Sequence, residues 1–128
     1  MQQVEWRAWP VAHWERNAGR AILLVWAVFW IWFGLASGLS EHLSWRGLLI
    51  HTAAPGLVFA LMAALAWRYE RVAAWLLLAV AAGILFTYNE MMGHWGLLHV
   101  LQVGSILAGP PLLAGLLFYC SWRSRLGR

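Results

Sequence analysis

Arg68-Tyr69-Glu70-Arg71 is a polar break between two apolar runs, Leu48 to Trp67 and Val72 to Tyr88. As a helix, each run is about long enough to cross a hydrocarbon layer of ~30 Å. A link this short returns the chain antiparallel, so the stretch predicts a helical hairpin at the centre of the molecule. Two further apolar segments flank that pair. The expected fold is therefore all-α: a polytopic membrane protein with four transmembrane helices arranged as two antiparallel hairpins.

Composition agrees with this reading. Of 128 residues, 62% are hydrophobic and 11% charged, against roughly 45–50% and 25% in ordinary soluble domains. The net charge is +4 and the pI is near 10.2. In a soluble chain that balance would suggest nucleic acid. Here the arginines collect at the ends of apolar runs and answer to lipid headgroups, so no nucleic-acid partner is expected. Every basic residue is arginine and every acidic one glutamate, a bias that a high-GC bacterial genome produces. The single Cys120 excludes an intrachain disulfide and a CxxC site.

Outward from the central break, residues 1–20 carry Trp6, Trp9 and Trp14 among Arg7, Arg16 and Arg20, the composition of an interfacial segment or a polar tail. The first helix is expected over 21–40, with Trp26/Trp30 and Phe29/Phe33 paired at i, i+4 and a GxxxG at Gly34 and Gly38 that admits a close neighbour. It is read as a retained helix rather than a cleaved signal peptide, because the run is long and rich in tryptophan. The second helix is expected over 48–67 with Pro55 in its second turn, and the third over 72–88. Their stripes Gly56/Ala60/Ala64 and Ala79/Gly83 predict that these two helices pack on each other. The fourth is expected over 96–120, bent by Gly109-Pro110-Pro111, with a basic tail over 121–128.

Orientation follows from counting arginines. Arg7, Arg16, Arg20, Arg68, Arg71, Arg123, Arg125 and Arg128 fall on one side, and Arg46 alone on the other. The positive-inside rule places both termini in the cytoplasm of a bacterial inner membrane. Trp67 and Trp122, with Arg68, Arg71 and Arg123, anchor the inner interface; Trp45 and Trp95 mark the outer one. The openings of the second and fourth helices, Trp45-Arg46-Gly47-Leu48-Leu49-Ile50-His51 and Trp95-Gly96-Leu97-Leu98-His99, are faintly alike, as two parallel half-repeats would be.

Chemistry-bearing residues gather on the outer side: His42, His51, His94 and His99 with Glu41, Glu90, Met91 and Met92. His51 and His99 each sit about one turn inside a helix, where ionisable groups usually face the bundle. A metal site could draw on His51, His94, His99, Glu90 and Met91, with copper favoured by thioether and zinc by carboxylate. The same two histidines, His51 and His99, could hold a haem or hydrogen-bond a quinone. Against these readings, interfacial histidines commonly bond water, headgroups or carbonyls, and no HxxxH or HExxH spacing fixes a geometry. Gln102 and Ser105 read as interhelical glue, Cys120 as a small apolar filler, and Glu70 as a charge that balances the turn. No nucleophile–base pair or phosphate-binding glycine loop appears, and no catalytic residue is assigned.

The run from Ile50 to Arg71, with His51, Pro55 and the closing Ala66-Trp67-Arg68-Tyr69-Glu70-Arg71, resembles small prokaryotic four-helix membrane proteins of unknown function. The likeness covers roughly residues 20–123; it implies the fold and no activity. The expected function is that of an accessory or scaffold subunit of a larger membrane complex, in contact with the lipid bilayer and with other membrane subunits or itself. The rivals are a metal- or haem-binding protein and a small oligomeric transporter.

Overall fold

The computed structural model describes residues 14–92 and 96–126. It is all-helical in these parts, with α1 at Trp14–Ser40, α2 at Trp45–Arg68, α3 at Glu70–Met92 and α4 at Leu97–Leu126. All four are long and apolar enough to cross a membrane. Each helix runs beyond its expected bounds. The largest extension is at α1, which begins at Trp14 instead of 21 and so carries Arg16 and Arg20 on helical backbone. His13 and the residues before it, with His94 and Trp95, lie outside the described residues.

The connections have clear local causes. Leaving α1, His42 adopts a positive φ of 53°, the left-handed position of a C-terminal helix cap. Leu43 N–H then donates to Gly38 C=O at 3.1 Å and His42 N–H to Leu39 C=O at 3.2 Å, satisfying carbonyls the helix leaves open. Ser44 caps α2, its side chain accepting from Gly47 N–H at 3.3 Å. The expected four-residue link is in fact one residue: α2 ends at Arg68, α3 starts at Glu70, and only Tyr69 lies between. Tyr69 N–H still donates to Leu65 C=O at 2.7 Å, and its own carbonyl accepts from Ala73 N–H at 3.0 Å. Gly96, at φ 98°, supplies a backbone conformation before α4 that other residues avoid.

Helix pairing departs from the stripe reading. α1 packs most extensively on α2 and α3 on α4, with a smaller α1–α4 contact and a smaller one again between α2 and α3. The GxxxG of α1 is used as expected. A Cβ at Gly34 would lie 2.6 Å from His51 C=O and 2.7 Å from Thr52 Cα, and one at Gly38 would meet the Leu48 side chain at 2.6 Å. Pro55 has no N–H for the His51 carbonyl that abuts Gly34, so this close backbone approach falls where the α2 ladder is interrupted. Gly56, by contrast, meets Ile31 of α1 rather than α3, and a Cβ at Gly83 would meet nothing within 4 Å. The close approach expected at Gly34 and Gly38 is made by α2, whereas the stripes of α2 and α3, expected to pack on each other, do not. Small residues permit close approach without naming the partner.

The core cluster is formed by Leu23 and Ala27 of α1, Phe59, Ala63 and Ala66 of α2, Ala73, Ala74 and Leu77 of α3, and Ala114 and Phe118 of α4. All of these lie in the half of the bundle nearest Tyr69. Phe118 is fully buried and rests where Gly19 of α1 leaves room, 3.0 Å from the position a Cβ would take. α4 stays helical through Pro110 and Pro111. On α1 the expected pairs are in contact, Trp26 edge-on to Trp30 at 5.8 Å and Phe29 stacked on Phe33 at 6.0 Å; Trp26 also stacks on Phe29 at 5.0 Å and lies edge-on to Phe59 of α2 at 6.4 Å.

Candidate functional site

The most developed polar site lies beside the Tyr69 link, and its centre is Glu70. As the first residue of α3, this carboxylate sits at a helix N-terminus, where negative charge is favoured. Burial of Ala73 and Ala74 one turn on and of Leu77 two turns on fixes the rotation of α3 and turns Glu70 inward. Its Oε1 lies 3.4 Å from Arg16 Nε and 4.0 Å from Arg20 Nη2, both on α1. Its Oε2 pairs with Arg125 of α4 and accepts from Ser121 Oγ at 3.4 Å. Arg125 also donates from Nε to Ser121 C=O at 3.2 Å. Arg20 Nη2 reaches the last carbonyls of α2, Trp67 at 3.3 Å and Ala66 at 3.5 Å, so one guanidinium serves a helix C-terminus and the carboxylate together. Elements α1, α3 and α4 thus converge on one side chain, while α2 joins through Arg20. The expectation that Glu70 merely balances the turn is corrected: three guanidiniums from distant parts of the chain gather on it.

Two aromatic rings complete the site. The Arg20 guanidinium lies over Trp67 at 4.8 Å and that of Arg71 over Trp122 at 5.0 Å, the geometry of cation–π contact. A cavity of about 580 Å³ opens here, lined by Arg16, Arg20, Arg68, Arg71 and Arg125 with Glu70, Trp67, Tyr69, Val72, Trp122 and Leu126. The Nε atoms of Arg16 and Arg20 are buried without a hydrogen-bond partner among the described residues. Arg16 Nε is within ion-pairing distance of Glu70 but is not aligned for a bond. Arg123 instead donates to Tyr119 Oη at 3.0 Å.

At the other end the histidines are distributed over different helix pairs. His51 is exposed on α2 and lines a cavity of about 240 Å³ with Trp30, Phe33, Gly34, Ile50, Ala54 and Pro55. His99, on α4, has its Nε2 3.1 Å from Tyr88 Oη of α3. His42 serves the α1 cap. Glu90 and Met91 are exposed near the end of α3, and His94 lies outside the described residues. Among the described residues, no three His, Cys, Asp or Glu side chains lie close enough to hold a metal ion. Gln102 and Ser105 face outward from α4, as does Cys120, which is exposed rather than a buried filler. Trp45 is exposed at the start of α2, and Trp67 is exposed beside Arg68.

Four membrane-length helices locked by an arginine–glutamate cluster at one end define a small multi-pass membrane protein. The chain belongs to the family described as domain of unknown function DUF7670, whose model matches residues 6–128. No curated protein and no solved structure matches it.

Proposed function

We propose that the chain is an accessory or scaffold subunit of a bacterial inner-membrane complex, with both termini cytoplasmic and its helices paired as two antiparallel hairpins. The observation that carries this reading is the outer face of α3. Gly83 belongs to the Ala79/Gly83 stripe, yet a Cβ there would meet nothing within 4 Å. Beside it an open apolar groove of about 490 Å³ is lined by Val80, Gly83, Ile84, Thr87, Tyr88 and Met91. Within a bilayer, two helices gain little from apolar character, since lipid is equally apolar. Close approach at small residues is what favours their association. A small-residue face left open within the protomer suits a transmembrane helix of a partner subunit.

Gly83→Leu tests this, because the site is open at its base, a Cβ there meeting nothing within 4 Å among the described residues. The variant should keep its helicity but lose its partner when complexes extracted gently from the source membrane are weighed by native mass spectrometry. An unchanged hetero-complex in Gly83→Leu, or a bare protomer in the unaltered protein, would sink the proposal.

A further inference from the structure

We infer that the cavity around Glu70 binds a phosphate group, carried by an anionic phospholipid headgroup or as free phosphate. Five arginines line this cavity against one glutamate. Arg16, Arg20 and Arg125 lie against that glutamate, and Arg68 and Arg71 remain without a carboxylate among the described residues. Formally, the lining carries four positive charges more than negative ones. Gathering like charges at a partly dehydrated helix junction is unfavourable unless an anion joins them. Independently, the buried Nε donors of Arg16 and Arg20 make no hydrogen bond among the described residues, Arg16 Nε having only its 3.4 Å ion pair with Glu70. Buried polar groups almost always make a hydrogen bond.

The chemistry of the lining selects phosphate over a simple halide. A guanidinium presents paired N–H donors that match phosphate oxygens, and its weak hydration makes it easy to use at an interface. Trp67 and Trp122 hold the Arg20 and Arg71 guanidiniums against their faces, which reduces the freedom these side chains lose when an anion arrives. Glu70 does not oppose the ligand, because its charge is already engaged by three guanidiniums. Val72, Leu126 and the two indoles give the cavity an apolar side for the glycerol and first methylenes of a lipid. At about 580 Å³ the cavity falls within the ~300–1,000 Å³ of typical small-ligand sites. Basic pockets between membrane helices are a common setting for anionic headgroups.

The test uses the full chain in detergent and Arg68→Gln/Arg71→Gln, which leaves the Glu70 contacts intact. Retention of phosphatidylglycerol and of phosphatidylcholine with the same acyl chains is compared by native mass spectrometry; binding of radiolabelled inorganic phosphate is measured without lipid. The unaltered protein should retain phosphatidylglycerol at least about tenfold better than phosphatidylcholine. The double variant should lose that preference, each arginine near an anionic surface being worth roughly a factor of five. Preference for phosphatidylglycerol that falls in the variant supports a lipid source. Phosphate binding that falls in the variant, without lipid preference, supports a free-phosphate source. Equal retention of the two lipids with no phosphate binding overturns the inference, as does a preference the double variant leaves unchanged. Should the double variant lose helicity by circular dichroism, Arg68→Gln alone is read in the same way.

Discussion

Replacing Glu70 with glutamine removes one charge and keeps the shape of the side chain. Breaking a fully buried ion pair costs about 3–5 kcal/mol, because the surviving charge is left uncompensated. This cluster is only partly buried, so that figure must be reduced. Arg125 is 47% exposed, and its share is that of a surface pair, at most about 1 kcal/mol. Arg16 and Arg20 are 26% and 14% exposed, against a Glu70 side chain at 9%. With water at the rim, their joint share is about 1–2 kcal/mol. The expected loss is therefore about 1–3 kcal/mol in all. The assay is reversible unfolding in mixed micelles titrated with dodecyl sulfate and followed by the fluorescence of the 11 tryptophans, without anionic lipid.

Glu70 also opens α3, and a carboxylate at a helix N-terminus alone is worth about 0.3–1 kcal/mol. A double-mutant cycle with Arg20→Gln separates the two effects. The lost bonds from Arg20 to the α2 carbonyls appear in both arms and cancel. A coupling of about 0.5–1 kcal/mol is expected if the ion cluster is the main term. A Glu70→Gln cost under about 0.5 kcal/mol, indistinguishable from Glu90→Gln on the exposed end of α3, would refute the cluster as a stabilising device.

Two further outcomes follow from the packing. Gly34→Ala should cost about 1–3 kcal/mol, since the new Cβ would press on the His51 carbonyl and Thr52 Cα, which are backbone and cannot rotate away. Gly83→Ala is its counterpart: a Cβ there would meet nothing within 4 Å, so the same titration should show no loss and a gain of up to about 1 kcal/mol from helix propensity. For the other end, a cycle of His99→Leu with Tyr88→Phe should return a coupling near 0.6 kcal/mol, the average for hydrogen bonds between membrane helices. A coupling of zero would mean that the 3.1 Å contact adds no stability.

The four helices were legible in the sequence because twenty-residue apolar runs have few other uses, and the Gly34/Gly38 contact was legible because two glycines one turn apart leave a flat face. The start of α1 was not. Trp14 to Arg20 looks interfacial in isolation, and Arg16 and Arg20 become part of a helix-packing site only because Glu70 faces them from α3. That site was equally hidden: the partners of Glu70 lie far along the chain on either side, and local reading saw only two flanking arginines. Its one available signal was a lone acidic residue at the start of a helix in a chain whose arginines outnumber its glutamates. The histidines were visible as residues but not as an arrangement, since residue types do not say which helices pair. With α1 on α2 and α3 on α4, His51 and His99 belong to different pairs.

The cluster around Glu70 has a bearing on how the chain is made. Arg16 and Arg20 come near the beginning of the described structure, Glu70 at its middle corner, and Ser121 and Arg125 at its end. A nascent chain stopped before α4 can bring two arginines to the carboxylate but cannot supply the third or the serine hydroxyl. Closure of this end of the bundle therefore waits for the last turns of α4 to be synthesised, and the finished ion cluster distinguishes a chain that carries α4 from one stopped short of it.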